Sequence, residues 1–202
     1  MLVSLQEKKR EDPRVKRTRK LLTQAFFELV NEKGFQSITV QDIADRAEVN
    51  RATFYAHFED KFDMLDSFIR EGFLEWLIKN ESTPDNLNTK SLSRFVIHVF
   101  QFLSNTASHC SPVDHQVEPM LQAAVQEEIY RFLLNWFDRT PPSLFYLRQS
   151  HESVAMVWSW AIFGAAIQWS RGAMASSVEE MATQLVDVLI NPLVPYVPTP
   201  QK

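Results

Sequence analysis

Apolar residues along this 202-residue chain recur three and four positions apart almost everywhere and alternate almost nowhere, so the pattern predicts helices and no sheet. Asp12-Pro13 reads as an N-cap followed by proline at the first helical position. Leu21, Leu22, Ala25, Phe26, Leu29 and Val30 then form one apolar stripe, and Gly34 stops the helix. Thr39 with Asp42 has the pattern of a capping box, opening a short helix through Arg46 that turns Val40, Ile43, Ala44 and Ala47 inward. Asn50 is a second N-cap a few residues on, and it starts a third short helix.

Beyond it the elements lengthen. A helix from about Lys61 carries Phe62, Leu65, Phe68, Ile69, Phe73, Trp76 and Leu77 and ends before Thr83-Pro84; the next carries Phe95, Val96, Val99, Phe100, Phe102 and Leu103. The segment Asn105 to Glu118, which contains Pro112, reads as irregular. Pro119 then opens a helix that runs to the stop at Thr140-Pro141-Pro142. Two further helices are expected, from about His151 to Gly172 and from about Val178 to Ile190.

The third helix poses a question of its own. In RATFYAHFEDK, Arg51 to Lys61, a turn of about 100° per residue stacks Phe54 and Phe58 on one side and Ala52 and Ala56 on the other, with Thr53 and Tyr55 at the edges. The inner side explains itself by burial. The outer side is small in the middle and polar at its rim, which suits a second helix lying in a DNA major groove, so the pair of short helices reads as a helix-turn-helix. Ala52 and Ala56 let the backbone approach the base edges. Arg51 and Thr53 reach donors, acceptors and the thymine methyl, and Tyr55 reaches a phosphate, with Lys61 placed to grip the backbone at the start of the next helix.

The net charge of −4 taken alone opposes that reading. Its distribution reverses the argument: residues 1–20 hold eight Lys and Arg against three acidic residues, a net +5, which leaves −9 for the remainder. Hydrophobic residues make up 45% of the chain and 15 are Phe, enough for a sizeable core. The single Cys110 excludes an internal disulfide framework, and no apolar run has the length of a signal peptide or membrane span. The expectation is a cytoplasmic protein with no membrane partner.

Residues 14–65 resemble the DNA-binding domain of the TetR family of transcriptional repressors. The likeness is carried by the basic first helix RVKRTRKLLTQAFFELVNEKGF, by ITVQDIADRAEVN, and above all by TFYAHFEDKFDML. It implies an all-α fold: a three-helix helix-turn-helix domain over residues 1–60, then a larger helical ligand-binding and dimerisation domain over 61–202. It also implies that Thr39 and Gln41 on the second helix, and Arg51, Ala52, Thr53, Tyr55 and His57 on the third, line double-stranded DNA, and that Lys61 clamps a phosphate. One departure has a structural consequence. Glu48 stands where the family often has glycine, so a residue with a side chain is expected at φ > 0.

Aromatic residues dominate the second domain. Phe95, His98, Phe102, Tyr130, Trp136, Phe137, Met156 and Trp160 fall on three helices, which fits either a tightly filled core or an apolar cavity for a small-molecule effector. The resemblance favours the cavity. Phe73 and Trp76 join this set, because their helix begins at Lys61 and passes into the aromatic body. In VWSWAIFGAAIQW, the small Ala161, Gly164 and Ala165 lie among the large Trp158, Ile162 and Trp169, and the resemblance implies that the last two helices pair with their symmetry mates in a homodimer.

Other chemistry finds little support. His109, Cys110 and His115, even with Asp114 and Glu118 nearby, lack a second ligand pair at a zinc-site spacing, so no metal is expected. No Ser-His-Asp order, glycine-rich phosphate loop or paired carboxylate on an apolar face points to an enzyme or a cofactor. The reading is a DNA-binding repressor of the TetR type, released from a palindromic operator by a small, largely apolar ligand. The alternative is a co-regulator that keeps the fold and acts through a protein partner.

Overall fold

A computed structural model describes residues 12–80, 87–109, 117–141, 149–172 and 176–191. All regular secondary structure among them is helical: α1 (Pro13–Lys33), a 3-10 turn (Phe35–Ser37), α2 (Val40–Arg46), α3 (Arg51–Tyr55), α4 (Lys61–Lys79), α5 (Thr89–His109), α6 (Val117–Arg139), α7 (His151–Ser170) and α8 (Val178–Ile190). Described residues up to Ile69, with Val117–Met120, form one compact unit; those from Arg70 to His109 and from Leu121 onward form another.

In the first unit the caps act as the sequence suggests. Asp12 accepts from the Arg14 amide at 2.8 Å, and Gly34 ends α1 at φ 74°. The Thr39 hydroxyl accepts from the Asp42 amide while the Asp42 carboxylate accepts from the Thr39 amide, closing the box in both directions. Glu48 takes φ 56°, the left-handed conformation expected where glycine is absent. The turn around it closes on the end of α2, with the Val49 amide donating to the Ala44 carbonyl at 2.9 Å. Leu22, Phe26, Phe35, Ile38, Ile43, Phe54 and Met64 fill the core, and Arg46 ties α2 to α1 by a bidentate contact with Glu32 at 2.7 Å.

The second unit is built on α5, which packs against α7 and α8. Phe95, Val96, Val99 and Phe100 are fully buried on it, and Ala155, Ile162, Ala166, Ala182 and Val186 are among the buried residues of α7 and α8. Buried Glu128 of α6 accepts from Arg70 of α4 at 2.7 Å and from Arg131 at 3.3 Å, so the carboxylate that burial would penalise has two cationic partners.

Two boundaries differ from the sequence expectation. Helix α5 continues through Asn105 to His109, with the Thr106 hydroxyl bonded back to the Phe102 carbonyl at 2.8 Å. Helix α6 begins at Val117, two residues before Pro119. Proline fits there because amides in a first helical turn have no intrahelical acceptor to lose. Cys110, Asp114 and His115 lie outside the described residues, as does any statement about the His109 side chain; among the described residues no three His, Cys, Asp or Glu gather to hold a metal.

Candidate nucleic-acid interface

The outer face of α3 is open. Arg51, Ala52, Tyr55 and Ala56 are exposed, Thr53 and His57 are half-buried, and Phe54 and Phe58 are buried beneath them. No acidic residue occurs in Arg51–His57. The inner rings hold this face in place: Phe54 packs on Phe58 with centroids 5.7 Å apart, Tyr55 stands edge-on to Phe54 at 5.5 Å, and the Arg19 guanidinium of α1 lies 4.5 Å above Phe58. Periodicity gave no sign of Arg19, since a basic residue on an exposed helix face has many possible partners.

Several of the polar groups are ordered before any partner arrives. Arg51 donates to the Tyr55 hydroxyl at 3.1 Å, with its guanidinium 5.7 Å from the ring centroid. On α2, Gln41 is exposed and donates to Asp45 at 2.6 Å. Thr39 is exposed too, yet its hydroxyl is engaged by Asp42 on both sides, donating at 2.6 Å and accepting at 3.1 Å.

Lys61 is placed otherwise than a free phosphate clamp would be. Its ammonium is half-buried and donates to the carbonyls of Phe35, Gln36 and Ile38 at 3.2, 3.2 and 2.9 Å, and it lies 4.7 Å from the Phe35 ring centroid. Three donors meet three acceptors. The lysine thereby ties the start of α4 to the segment that leads into α2.

Hydrogen bonds from Thr39, with Lys33 3.0 Å away, hold the Asp42 carboxyl at a pKa of about 2, below its ordinary 3.8. A depressed folded pKa contributes stability that is complete above the unfolded value and is lost as pH falls through the folded one. Acid titration of wild type should therefore show a loss of stability between about pH 4 and pH 2 that Asp42→Asn lacks. Parallel acid-unfolding curves for the two proteins over that range would contradict it.

The residues singled out for an effector divide into separate groups within the second unit. Phe73 and Phe102 meet edge-on at 5.0 Å with Trp76 beside them, and the Trp76 indole N–H donates to the His98 carbonyl at 3.0 Å. Burial, aided by Arg94, lowers the His98 pKa and favours its neutral ring. Phe95, Phe132 and Trp136 form a second group, with Phe95 stacked on Phe132 at 4.5 Å and Trp136 edge-on to both. Trp136 is 3% exposed, and its Nε1 is the one buried side-chain polar atom among the described residues without a hydrogen-bond partner. Phe137 packs instead against Trp158 at 5.3 Å.

Tyr130, Met156 and Trp160 do not join them. They line an open groove of about 320 Å³ between α6 and α7, where Met156 is 53% and Trp160 59% exposed. Conversely Trp158 and Ile162, expected on the dimer face, are 6% and 0% exposed in the core. Helical geometry explains the exchange: 156, 160 and 164 recur every four residues on one side of α7, and 155, 158, 159, 162 and 166 share the other. Gly164 is exposed, Ala161, Ala165 and Trp169 are half-buried, and Trp169 reaches back to Phe100 and to the Ser176 carbonyl.

Comparison with known proteins agrees with this architecture. Residues 22–68 match the model of bacterial regulatory proteins, tetR family. Over 103 residues, 50% of the chain, the sequence is 31% identical to the HTH-type transcriptional regulator YxbF of Bacillus subtilis. Over 46 residues, 23% of the chain, it is 46% identical to the HTH-type transcriptional repressor KstR2 of Mycobacterium tuberculosis. The matched stretches span 27% and 22% of those relatives' own lengths. FadR from Bacillus subtilis, solved in complex with stearoyl-CoA, superposes with a TM-score of 0.51 at 13% identity, covering 87% of this chain and 99% of that one, a likeness of fold. No described helix is long and apolar enough to cross a membrane. The helix-turn-helix and its capped α3 thus lie within the stretch, residues 22–68, that matches the tetR family of bacterial regulatory proteins.

Proposed function

We propose that this chain is a sequence-specific DNA-binding repressor, a homodimer on a palindromic operator that a small apolar or amphipathic ligand releases. The observation that carries the reading is the outer face of α3, where Arg51, Ala52, Tyr55 and Ala56 are exposed without a carboxylate among them. Gln41 and Thr39 adjoin it on α2, and the basic residues before α1 supply charge for phosphates. KstR2, named a repressor, supports the sign of regulation. Binding-site selection from random double-stranded DNA tests the core of the proposal: a two-fold symmetric consensus is expected, and no enrichment would reject it.

For the dimer, the exposed apolar side chains Met156, Val157 and Trp160 on α7 and Val188 on α8, with Gly164, form the face offered to a second copy. For the effector, the groups around Phe102 and Trp136 are the candidate lining, and acyl-CoA is a suitable first probe given the ligand of the FadR fold neighbour.

Lys61 supports the interface by holding its frame. Lys61→Met should lower the stability of the first unit by about 1–3 kcal/mol, because three backbone carbonyls lose a charged donor. The salt dependence of operator binding should stay unchanged. A slope lower by about one counterion per half-site would return Lys61 to direct phosphate contact.

A further inference from the structure

Thr53 stands at the edge of the exposed face of α3, and its hydrogen bonds restrict what it can recognise. Its backbone N–H donates to Asn50 Oδ1 at 2.7 Å, which identifies that side-chain atom as the oxygen. The Thr53 hydroxyl lies 3.0 Å from the same oxygen. A carbonyl oxygen only accepts, so the hydroxyl proton points at Asn50 and Oγ1 keeps only its lone pairs for anything outside.

We propose that Thr53 reads the operator as a hydrogen-bond acceptor, taking an exocyclic amino group, adenine N6 or cytosine N4, at one major-groove position of each half-site. The proposal rests on the DNA-binding reading above. Phosphate oxygens, guanine O6 and N7 and thymine O4 are all acceptors, and a hydroxyl without its proton to offer gains nothing from them. Arg51, two residues earlier, has the opposite polarity: its guanidinium only donates, and one N–H is held on Tyr55. The rim of α3 thus presents a donor and an acceptor side by side, each set by a contact within the helix and its cap.

Turning the hydroxyl around would break its bond to Asn50 while the Thr53 amide keeps its own, so the preference is set by roughly one hydrogen bond, or about five- to tenfold in affinity. The experiment uses the full chain as wild type, Thr53→Ser and Thr53→Val, the last replacing the hydroxyl by a methyl of similar shape. Site selection from random DNA first locates the position at which Thr53→Val alone changes the consensus. At that position adenine is then replaced by purine, or cytosine by 2-pyrimidinone, each lacking the amino group.

Wild type and Thr53→Ser should lose about five- to tenfold on this replacement, and Thr53→Val should bind both DNAs equally. Comparison with Thr53→Val also removes any effect of the altered base pair itself. Wild type indifferent to loss of the amino group would overturn the proposal, and so would a consensus that Thr53→Val leaves unchanged at every position. In both of those cases a selected motif would still stand, so DNA binding would survive. If wild type selects no motif, both readings fall together.

Discussion

Replacing Gly164 by phenylalanine should turn the proposed homodimer into monomers without unfolding them. Gly164 is exposed on α7, and a Cβ built there meets no atom within 4 Å, so the folded monomer has room for a side chain. Within a helix, exchanging glycine for another residue also tends to stabilise by several tenths of a kcal/mol. A second copy laid on the same face removes that room. Overpacking at a close contact typically costs about 1–3 kcal/mol at each of two symmetric sites, and a ring at the centre of a helix pair holds the backbones apart over the whole interface. Light scattering at micromolar concentration should therefore report the monomer mass, while circular dichroism and the thermal transition of the monomer stay those of a folded helical protein. Trp158→Ala supplies the contrast. Trp158 is 6% exposed and packs on Phe137, so its truncation should cost about 3–5 kcal/mol of folding stability without a specific effect on association. A dimer that persists in Gly164→Phe would place the interface elsewhere.

That prediction changes the residues first assigned to the interface, and the reason lies in the composition of α7. VAMVWSWAIFGAAIQW is apolar on every side, so period alone distinguishes no inner face; Met156 and Trp160 looked as fit for a cavity as Trp158 and Ile162 did for a partner. Only packing against α5 separates the two sides. Where one face was polar, the sequence was far more informative. Asp12, Thr39 and Asn50 are caps because their side chains serve amides within three residues, a relation the sequence contains in full. The left-handed Glu48 was legible through the family resemblance alone, because glycine often stands at that position. Contacts between distant segments were not: nothing in the order of residues tells that Lys61 will meet the carbonyls of Phe35, Gln36 and Ile38, or that Glu128 will be buried against Arg70. Read along the chain, Lys61 looked free to grip a phosphate. The recognition face was legible, then, because it depends on local helix geometry, whereas the groups that hold it depend on tertiary structure.

Ligand and operator should weaken each other's binding by the same factor, because both act on one protein and linkage is reciprocal. Helix α4 is the element through which we expect this to happen. It is continuous from Lys61, which is tied to the segment before α2, to Lys79, and it carries Phe73 and Trp76 into contact with Phe102. Along the same helix Arg70 is bonded to buried Glu128, so a shift of α4 has to keep or replace that partner. Two packings of α4, one favoured by operator and one by ligand, would then exchange populations according to the difference in affinity each partner has for them. A coupling of about 1–3 kcal/mol corresponds to roughly 5- to 150-fold. The measurement is acyl-CoA affinity with and without saturating operator, in wild type, Trp76→Phe and Trp136→Phe. Phenylalanine keeps most of each ring and removes the indole N–H. In Trp136→Phe the folded protein loses an unpartnered donor and part of a buried ring, so stability should fall by only about 1 kcal/mol, while a ligand that accepts from Nε1 should bind more weakly and operator affinity in its absence should be unchanged. In Trp76→Phe the bond to the His98 carbonyl is lost, and the coupling factor should fall while each partner still binds alone. Equal acyl-CoA affinity in the presence and absence of operator, in a wild-type protein that binds both, would refute the two-packing model.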